Sequence, residues 1–246
     1  MALPDVVSAE DWRKARIDLL AEEKAMTRAR DALSTKRREL PMVRVDKDYR
    51  FEGPDGPCGL LDMFEGRSQL IVQHFMFDPE WEDGCPSCTA ATDEVSEGLL
   101  RHIHTRDTTL ALVSRAPLAR LERYKAERGW TLPWYSSLGS DFNYDFHVTL
   151  DGSVAPVEYN FRGADELREH GLDSLLEGSV EMPGHSVFLA AGDDVFHTYS
   201  SFARGGEWLG GSYAFLDLTA LGRQEDWEKP AGRSDSVRRA HPDFAS

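Results

Sequence analysis

Basic residues are outnumbered by acidic ones in this sequence, and long apolar runs are missing. The 246 residues include 28 Lys and Arg against 43 Asp and Glu, which gives a formal net charge of −15. Such acidity argues against nucleic acid or an anionic membrane as the main partner. No stretch approaches ~18 apolar residues and no apolar h-region follows the N-terminus, so we expect neither a transmembrane helix nor a signal peptide. The sequence thus predicts a cytoplasmic protein without a membrane partner.

Cysteines and cofactor motifs are also few. Three cysteines, an odd number, do not make the disulfide framework of a small secreted protein. A count of three cysteines fits better with a protein of a reducing compartment that has one redox-active cysteine pair. No G-x-G-x-x-G follows a predicted strand and no C-x-x-C-H occurs, so we expect no nucleotide, flavin or haem cofactor.

The most informative stretch is 70–88, which reads LIVQHFMFDPEWEDGCPSC. Its apolar first half is rich in strand-forming residues and predicts a buried strand. An acidic, aromatic loop follows, and Cys85-Pro86-Ser87-Cys88 then opens a helix-like segment. Two cysteines separated by two residues, between a buried strand and a helix start, are typical of a thioredoxin-like redox site.

The two cysteines are expected to have different roles. Pro86 suits the first turn of a helix, which places Cys85 at the helix start, where the dipole favours a thiolate. We therefore predict that Cys85 is the exposed attacking thiol and Cys88 the shielded resolving thiol. If the helix is continuous, Cys88 shares its packing face with Ala91, Val95, Leu99 and Ile103.

Neighbouring residues are candidates for supporting roles at this pair. Ser87 lies between the cysteines and Trp81 lies in the preceding loop. The carboxylates of Glu80, Glu82 and Asp83 oppose the effect of the helix dipole on Cys85. Their negative charge disfavours a nearby thiolate and raises the pKa of the thiol.

Three other interpretations of the pair stay open. The cysteines could form a structural disulfide or remain as inert buried thiols. They could also be half of a zinc site, which needs four ligands. Only Cys58 remains for such a site, so a histidine would have to be recruited. We expect Cys58 itself to be a small apolar filler.

Residues 8–40 are highly charged with an apolar stripe, and they predict a long amphipathic helix outside the core domain. Ser8 followed by Asp11 resembles a helix cap, and Pro41 ends the pattern. We treat 1–40 as an N-terminal helical extension. It is either a solvated helix or the contact surface of a homodimer.

The remainder predicts an α/β fold with a central mixed sheet. Strands over 70–77, 109–114 and 130–136 alternate with helices, which implies parallel pairing, and Pro133 suggests that the third strand lies at an edge. A hairpin over 186–202 supplies antiparallel strands. The core domain is thus 41–222, with an insertion at about 139–184 before the final hairpin. Residues 223–246 form a polar tail.

Four stretches together carry a family resemblance: QLIVQHFMF at 69–77, GCPSC at 84–88, LPWYSSLGSDFNYDFHV at 132–148 and VFHTYSSFARG at 195–205. They resemble an uncharacterised bacterial thioredoxin-like family, a domain-of-unknown-function family usually labelled predicted dithiol-disulfide oxidoreductase. The resemblance runs from the N-terminal helix to about Trp227. It implies a thioredoxin-like sandwich of peroxiredoxin style.

The sequence departs from the thioredoxin pattern in one respect. Thioredoxins place a cis-proline directly before the antiparallel hairpin, whereas Gly184-His185-Ser186 stands there in this chain and Pro183 is the nearest proline. We therefore expect substrate docking to differ. A peroxidatic Pro-x-x-x-Thr/Ser-x-x-Cys pattern is missing, so peroxide reduction ranks lower.

Two residues of the predicted hairpin complete the candidate site. His197 and Arg204 could lie near strand ends that face the cysteine helix, where His197 could take a proton from a thiol or hold a ligand. The alternative is a half-buried sheet histidine bonded to a neighbour. We expect His74 to be a core histidine.

Three functions remain open from the sequence. The first is a dithiol-disulfide oxidoreductase whose electron partner is a thiol or disulfide protein or a small thiol. The second is a non-enzymatic thioredoxin-like binding module with a structural cysteine pair. The third is a metal-binding protein.

Overall fold

The computed structural model of the chain describes residues 3–209 and 211–221 and the single residues 223, 227 and 229. Its strands are β1 (Val43–Arg44), β2 (Arg50–Gly53), β3 (Gly56–Gly59), β4 (Gln69–His74), β5 (Thr108–Ser114), β6 (Trp134–Ser136), β7 (Thr149–Asp151), β8 (Glu158–Tyr159), β9 (Arg162–Gly163), β10 (Ser179–Glu181), β11 (Gly184–Ala191) and β12 (Asp194–Phe202). Its α-helices are α1 (Ala9–Arg38), α2 (Pro86–Asp93), α3 (Glu97–His104), α4 (Leu118–Arg128), α5 (Phe142–Asp145), α6 (Ala164–Glu169) and α7 (Gly211–Leu216). Short 3-10 turns cover Asp62–Phe64, Asp173–Leu176 and Ala203–Leu209.

The chain divides into two units by the contacts within it. One unit holds residues up to 41 and the described residues from 215 onward, and the other holds 42–209 and 211–214. The first unit is built on α1, which falls within the range 8–40 for which the sequence predicts a helix. The Ser8 hydroxyl accepts the N–H of Asp11 at 3.1 Å and caps this helix. No residue of α1 is buried.

The second unit is built on an eight-stranded mixed sheet with the order β1-β12-β11-β4-β5-β6-β2-β3. Strands β4, β5 and β6 are parallel, while β11 is antiparallel to β4 and to β12. A helix-containing connection joins β4 to β5, and a hairpin adds β11 and β12 on the other side of β4. This order and these directions define a thioredoxin-like fold, and they confirm the predicted α/β class with a mixed sheet.

The predicted edge position of the third parallel strand is wrong. Strand β6 lies inside the sheet, between β5 and β2. Pro133 stands just before β6, and its carbonyl accepts the N–H of Leu112 at 2.9 Å. The proline therefore takes part in the sheet through its carbonyl oxygen. Its missing N–H does not prevent β6 from pairing with β5 on one side and β2 on the other.

The two faces of the sheet carry separate apolar clusters. On the cysteine face, side chains such as Leu112 and Trp134 pack with Cys88. On the opposite face, which we call the distal face, Leu70, Val72 and Phe188 pack against other buried rings. Successive side chains of β4 and its neighbouring strands point to opposite faces of the sheet. The sheet therefore separates two apolar cores.

The predicted insertion, 139–184, contributes to the distal face. Phe142 and Phe146 pack into the cluster there, with ring centroids 4.6 Å apart. The remainder of the insertion builds a third cluster around Val148, Leu150 and Leu167. Most of its aromatic residues therefore fill apolar core.

Within the described part of the chain, none of the helices combines the length and the apolar composition that crossing a membrane requires. The predicted polar tail, 223–246, lies outside the described residues except for 223, 227 and 229.

Candidate active site

The loop between β4 and α2 is held by two arginines of α4. The Arg120 guanidinium donates to the carbonyl of Pro79 at 2.7 Å and also to the carbonyl of Trp81, and Arg123 donates to the carbonyl of Glu82 at 3.3 Å. Positive charge thus lies beside a loop that carries four carboxylates, those of Asp78, Glu80, Glu82 and Asp83. The arginines lie about forty positions further along the chain, so the residues next to the cysteines in the sequence indicate only the carboxylates.

Gly84 brings the backbone close to an aromatic ring directly before the cysteine pair. A Cβ at this position would lie 2.6 and 2.9 Å from two ring carbons of Phe75. That ring is buried and its centroid lies 4.8 Å from that of Trp134, so it has little room to move. The glycine therefore permits the approach that positions Cys85.

We expect Gly84→Ala to lower the free energy of unfolding by about 1–3 kcal/mol, because the new methyl group overpacks a rigid aromatic cluster. Urea unfolding measures this change. Gly98→Ala is the matched control, since Gly98 lies inside α3 with only ordinary contacts around the added Cβ. The control should be neutral or slightly stabilising. Equal stability of both variants would contradict the close-packing argument.

Cys85 is the N-cap residue of α2, and Pro86 is the first residue of that helix. The Cys85 N–H donates to the carbonyl of Met76 at 3.0 Å, which ties the cap to the segment just after β4. Its carbonyl accepts both the N–H and the hydroxyl of Thr89, each at 2.9 Å. The backbone around Cys85 is therefore fixed from both sides, while its side chain is half-buried.

Cys88 is buried, with 5% of its surface exposed. A hydrogen bond to Cys85, burial and the charge of Cys85 all raise the pKa of the Cys88 thiol well above its ordinary value, and a backbone hydrogen bond with Met76 opposes them. Cys88 therefore keeps its proton and donates it toward the Cys85 sulfur. The pair is asymmetric, with one accessible sulfur and one buried proton donor.

The third cysteine lies apart from this pair. Cys58 is part of β3 and packs at the margin of the distal cluster. Burial and the charge of Asp62 raise the pKa of its thiol. All three cysteines are thiols. Within the described residues, no group of three or more His, Cys, Asp and Glu could hold a metal ion.

The predicted helix after the pair is broken, which changes its buried face. Helix α2 ends at Asp93 and α3 begins at Glu97, because the Ser96 hydroxyl accepts the N–H of Leu99 at 3.1 Å and starts a new helix. Cys88, Thr89, Thr92 and Leu100 are buried, whereas Ala91 and Leu99 are exposed. The expected stripe through Ala91 and Leu99 is wrong, since it assumed one continuous helix.

The structure brings only part of the predicted site together. Pro86 and Ser87 are exposed beside the pair, and Trp81 is 40% exposed in the adjoining loop. Arg204 lies in the 3-10 turn after β12, where its guanidinium pairs with Glu207 at 3.0 Å. The sequence order alone could not decide where this turn would lie.

His197 does not face the cysteine helix, which corrects the sequence expectation. It pairs with Phe188 across the hairpin, and its ring lies 5.5 Å from the Phe188 ring and 5.2 Å from the Phe146 ring. Both phenylalanines belong to the distal face. A register shift between Val187 and Phe188 sets this orientation, and simple alternation along the strand does not predict such a shift.

A different histidine lies on the cysteine face. His185 pairs with Gln73 of β4, and the Gln73 amide donates to the Thr92 hydroxyl on α2 at 3.2 Å. Burial lowers the pKa of His185 to about 4 and keeps the ring neutral at pH 7. Strand β11 begins at Gly184, so Pro183, and not the tripeptide after it, directly precedes the hairpin. The place of His185 in the tripeptide directly after Pro183, at the start of the hairpin, was the available sequence signal for this residue.

Solved structures resemble the chain at low sequence identity. A cysteine-to-serine mutant of PrxQ from Xylella fastidiosa has 11% identity and a TM-score of 0.43, covering 69% of this chain and 92% of that one. The bacterioferritin comigratory protein of Xanthomonas campestris has 11% identity and a TM-score of 0.41, covering 69% and 94%. A mutant of peroxiredoxin 6 from Arenicola marina has 12% identity and a TM-score of 0.41, covering 67% and 65%. The fold assignment rests on the strand order given above.

No curated protein matches the chain. The sequence pattern of a family described as "bacterial protein of unknown function (DUF899)" matches residues 1–242, nearly the whole length. This agrees with the resemblance found in the sequence to an uncharacterised bacterial family. The chain belongs to this family.

Proposed function

We propose that the protein is a thiol-disulfide oxidoreductase in which Cys85 attacks and Cys88 resolves. The observation that carries the proposal is the asymmetry of the pair. Cys85 is half-buried at a helix N-terminus, which stabilises negative charge on sulfur. Cys88 is buried and holds its proton through the hydrogen bond to Cys85. One accessible nucleophile and one protected thiol are what disulfide exchange requires.

The reaction proceeds in two exchanges. The Cys85 thiolate attacks one sulfur of a substrate disulfide, the substrate S–S bond breaks, and the leaving sulfur departs as a thiolate that takes a proton. Cys88 then loses its proton and attacks the Cys85 sulfur of the mixed disulfide. The second substrate sulfur leaves as a thiol, and a Cys85–Cys88 disulfide remains. Two electrons have passed to the substrate, and two electrons from a thiol reductant restore the dithiol.

Partners follow from this chemistry. The electron donor is a thiol protein or a small thiol, and the acceptor is a protein or small-molecule disulfide in the cytoplasm.

We also propose that α1 supports a homodimer, because its apolar residues Trp12, Ile17 and Met26 are exposed. Light scattering of the full-length chain at graded concentrations tests the dimer, and a monomer throughout would contradict it.

Mixed-disulfide trapping tests the proposed function. Insulin serves as the substrate, and dithiothreitol serves as the reductant. Cys85→Ser should lower the rate of insulin reduction on the order of 10³-fold. When the reduced Cys88→Ser variant is freed of dithiothreitol and then mixed with insulin, it should retain the attack and accumulate a covalent adduct on Cys85, because neither the resolving thiol nor a free reductant is present to break the mixed disulfide. Cys58→Ser is the matched control and should behave like the unmodified chain.

The alternatives give different results in the same preparations. A Cys85–Cys88 disulfide that survives equilibration in strongly reducing glutathione buffers would identify a structural bridge. Stoichiometric zinc in the purified chain, lost in Cys88→Ser, would identify a metal-binding protein. Either result, or an adduct that forms equally in Cys85→Ser, contradicts the proposed enzyme.

A further inference from the structure

A cavity of about 360 Å³ opens on the distal face of the sheet. Its volume lies near the lower end of the range of small-molecule sites, roughly 300–1,000 Å³. Aromatic side chains and polar groups share its lining, including Tyr49, Phe146, His197, Ser200 and Phe202. The cysteine pair lies on the other face, so the proposed redox chemistry does not use this cavity.

His197 lines this cavity, and its hydrogen bonds show which ring nitrogen carries the hydrogen. Its Nε2 lies 3.0 Å from the carbonyl of Tyr199 and 2.8 Å from the Ser200 hydroxyl. A carbonyl only accepts, so these bonds assign the hydrogen to Nε2 and leave Nδ1 as the ring acceptor. Burial lowers the pKa of His197 and keeps the ring neutral. A hydroxyl or amine hydrogen of a ligand is the matching donor.

A chain of hydrogen bonds fixes this histidine in place. The Ser200 hydroxyl lies 2.9 Å from that of Ser186, which in turn lies 2.8 Å from Nε2 of His74. The chain crosses β12, β11 and β4 beside the distal cluster. Buried polar groups in an apolar cluster cost stability unless they are bonded, so four linked polar side chains form a preorganised site.

A strained residue stands at the rim of the cavity. Asn160 and Phe161 form the two-residue turn between β8 and β9, and both are left-handed, with φ of 49° and 63°. Glycine is the usual second residue of such a turn, and a phenylalanine there costs stability. The Phe161 side chain is nevertheless 71% exposed, with its ring 5.7 Å from that of Phe202. Phe161 is also a lining residue of the cavity, so its exposed ring is available to contact a bound molecule.

The charges of the lining disfavour an anionic ligand. Lys47 already pairs with Asp141 and Asp145, each at 2.7 Å, and Arg44 pairs with Asp194 at 2.6 Å. The two cations are thus neutralised by neighbouring carboxylates. The cavity lining itself contains two basic residues and three acidic ones: Arg44, Lys47, Asp46, Asp145 and Glu158.

We propose that this cavity binds a small neutral or cationic aromatic molecule that carries a hydroxyl or amine group. The ring of the ligand packs between Phe146 and Phe161, and its hydroxyl or amine donates to Nδ1 of His197. The site is independent of the cysteine pair and adds a second binding function to the chain.

Titration of the full-length chain with three probes tests the site. The probes are para-cresol, which is neutral, tyramine, which is cationic, and para-hydroxybenzoate, which is anionic. Amide chemical shifts of the cavity residues should saturate with para-cresol and tyramine at a Kd on the order of 1 mM. Para-hydroxybenzoate should bind at least about tenfold more weakly because of the acidic lining. Equal binding of the anionic probe would overturn the assigned ligand class.

Variants of two lining residues separate binding from folding. His197→Phe keeps a ring but removes the acceptor, and it should weaken para-cresol binding about fivefold. Phe161→Gly should weaken binding while leaving the Tm unchanged or raised, because it relieves the left-handed strain. Trp81→Ala removes an exposed aromatic ring elsewhere and should leave the Kd unchanged. The proposal fails if no cavity shifts saturate up to about 20 mM probe, or if Phe161→Gly binds like the unmodified chain.

Discussion

Acidification from pH 7 to pH 5 is expected to lower the free energy of unfolding of the thioredoxin-like unit by about 3–4 kcal/mol. Two histidines, the buried His74 and the half-buried His185, account for most of this loss. Burial, with smaller effects of His185 and His197, lowers the pKa of His74 to about 3, and burial lowers the pKa of His185 to about 4. In the unfolded chain both groups titrate near pH 6.5.

The sign follows from proton binding. Between pH 6.5 and the folded values, the unfolded chain binds protons that the folded chain does not. The stability is therefore fully present above pH 6.5 and is lost as the pH falls. Each such histidine adds about 1.4 kcal/mol per pH unit to the slope. The pKa of His197 is also lowered by burial, so it contributes in the same direction.

Urea unfolding at pH 5, 6 and 7 measures this slope. His185→Gln should reduce the slope of the free energy of unfolding against pH by the equivalent of close to one proton. The substitution removes one of the two histidines whose pKa is strongly lowered by folding. His102→Gln is the matched control, since His102 is exposed on α3. A flat stability between pH 5 and 7, or identical slopes in the two variants, would contradict the buried neutral histidines.

Local patterns in the sequence predicted much of the fold for physical reasons. The apolar run before the cysteines, the turn at Gly192 and the cap at Ser8 each depend on neighbours within a few positions, so strand β4, the final hairpin and helix α1 could be recognised. The same reasoning placed Cys85 at a helix start, because a proline follows it directly.

Features that depend on distant residues could not be recognised in this way. Arg120 donates a hydrogen bond to the cysteine loop about forty positions earlier in the chain. No periodic pattern in the sequence predicts this hydrogen bond. The face occupied by His197 depends on a register shift in β11 and β12. Ser96 could have been identified as a cap, but the continuous apolar pattern favoured one long helix over two short ones.

The largest single-residue effect on stability is expected at Arg115. Its guanidinium lies 2.8 Å from the carboxylate of Glu181 and 3.7 Å from that of Asp78, and it lies over the ring of Tyr144 at 5.2 Å. Thr149 also donates to Glu181, at 2.9 Å. The Glu181 side chain is only 2% exposed. Arg115 thus joins the start of the cysteine loop to the strand that precedes Pro183.

Arg115→Met should lower the free energy of unfolding by about 3–5 kcal/mol at pH 7, because it leaves a buried carboxylate without its cation. Burial already raises the pKa of Glu181, and Arg115 opposes that rise. Without the arginine the folded pKa rises further. The folded variant then holds a proton that the unfolded chain releases, so this contribution is lost as the pH rises above the unfolded value of the glutamate.

The deficit of Arg115→Met relative to the unmodified chain should therefore shrink between pH 7 and pH 5, in the opposite direction to the histidine effect. Arg115→Met combined with Glu181→Gln should recover most of the loss at pH 7, since the deeply buried carboxylate is then removed together with its cation and only the partly exposed Asp78 is left without Arg115. Arg101→Met is the surface control: its pair with Glu97 is exposed, and we expect a change within about 0.5 kcal/mol. A deficit that is the same at both pH values, or a double variant as unstable as Arg115→Met alone, would show that packing and not charge pairing holds this junction beside the cysteine loop.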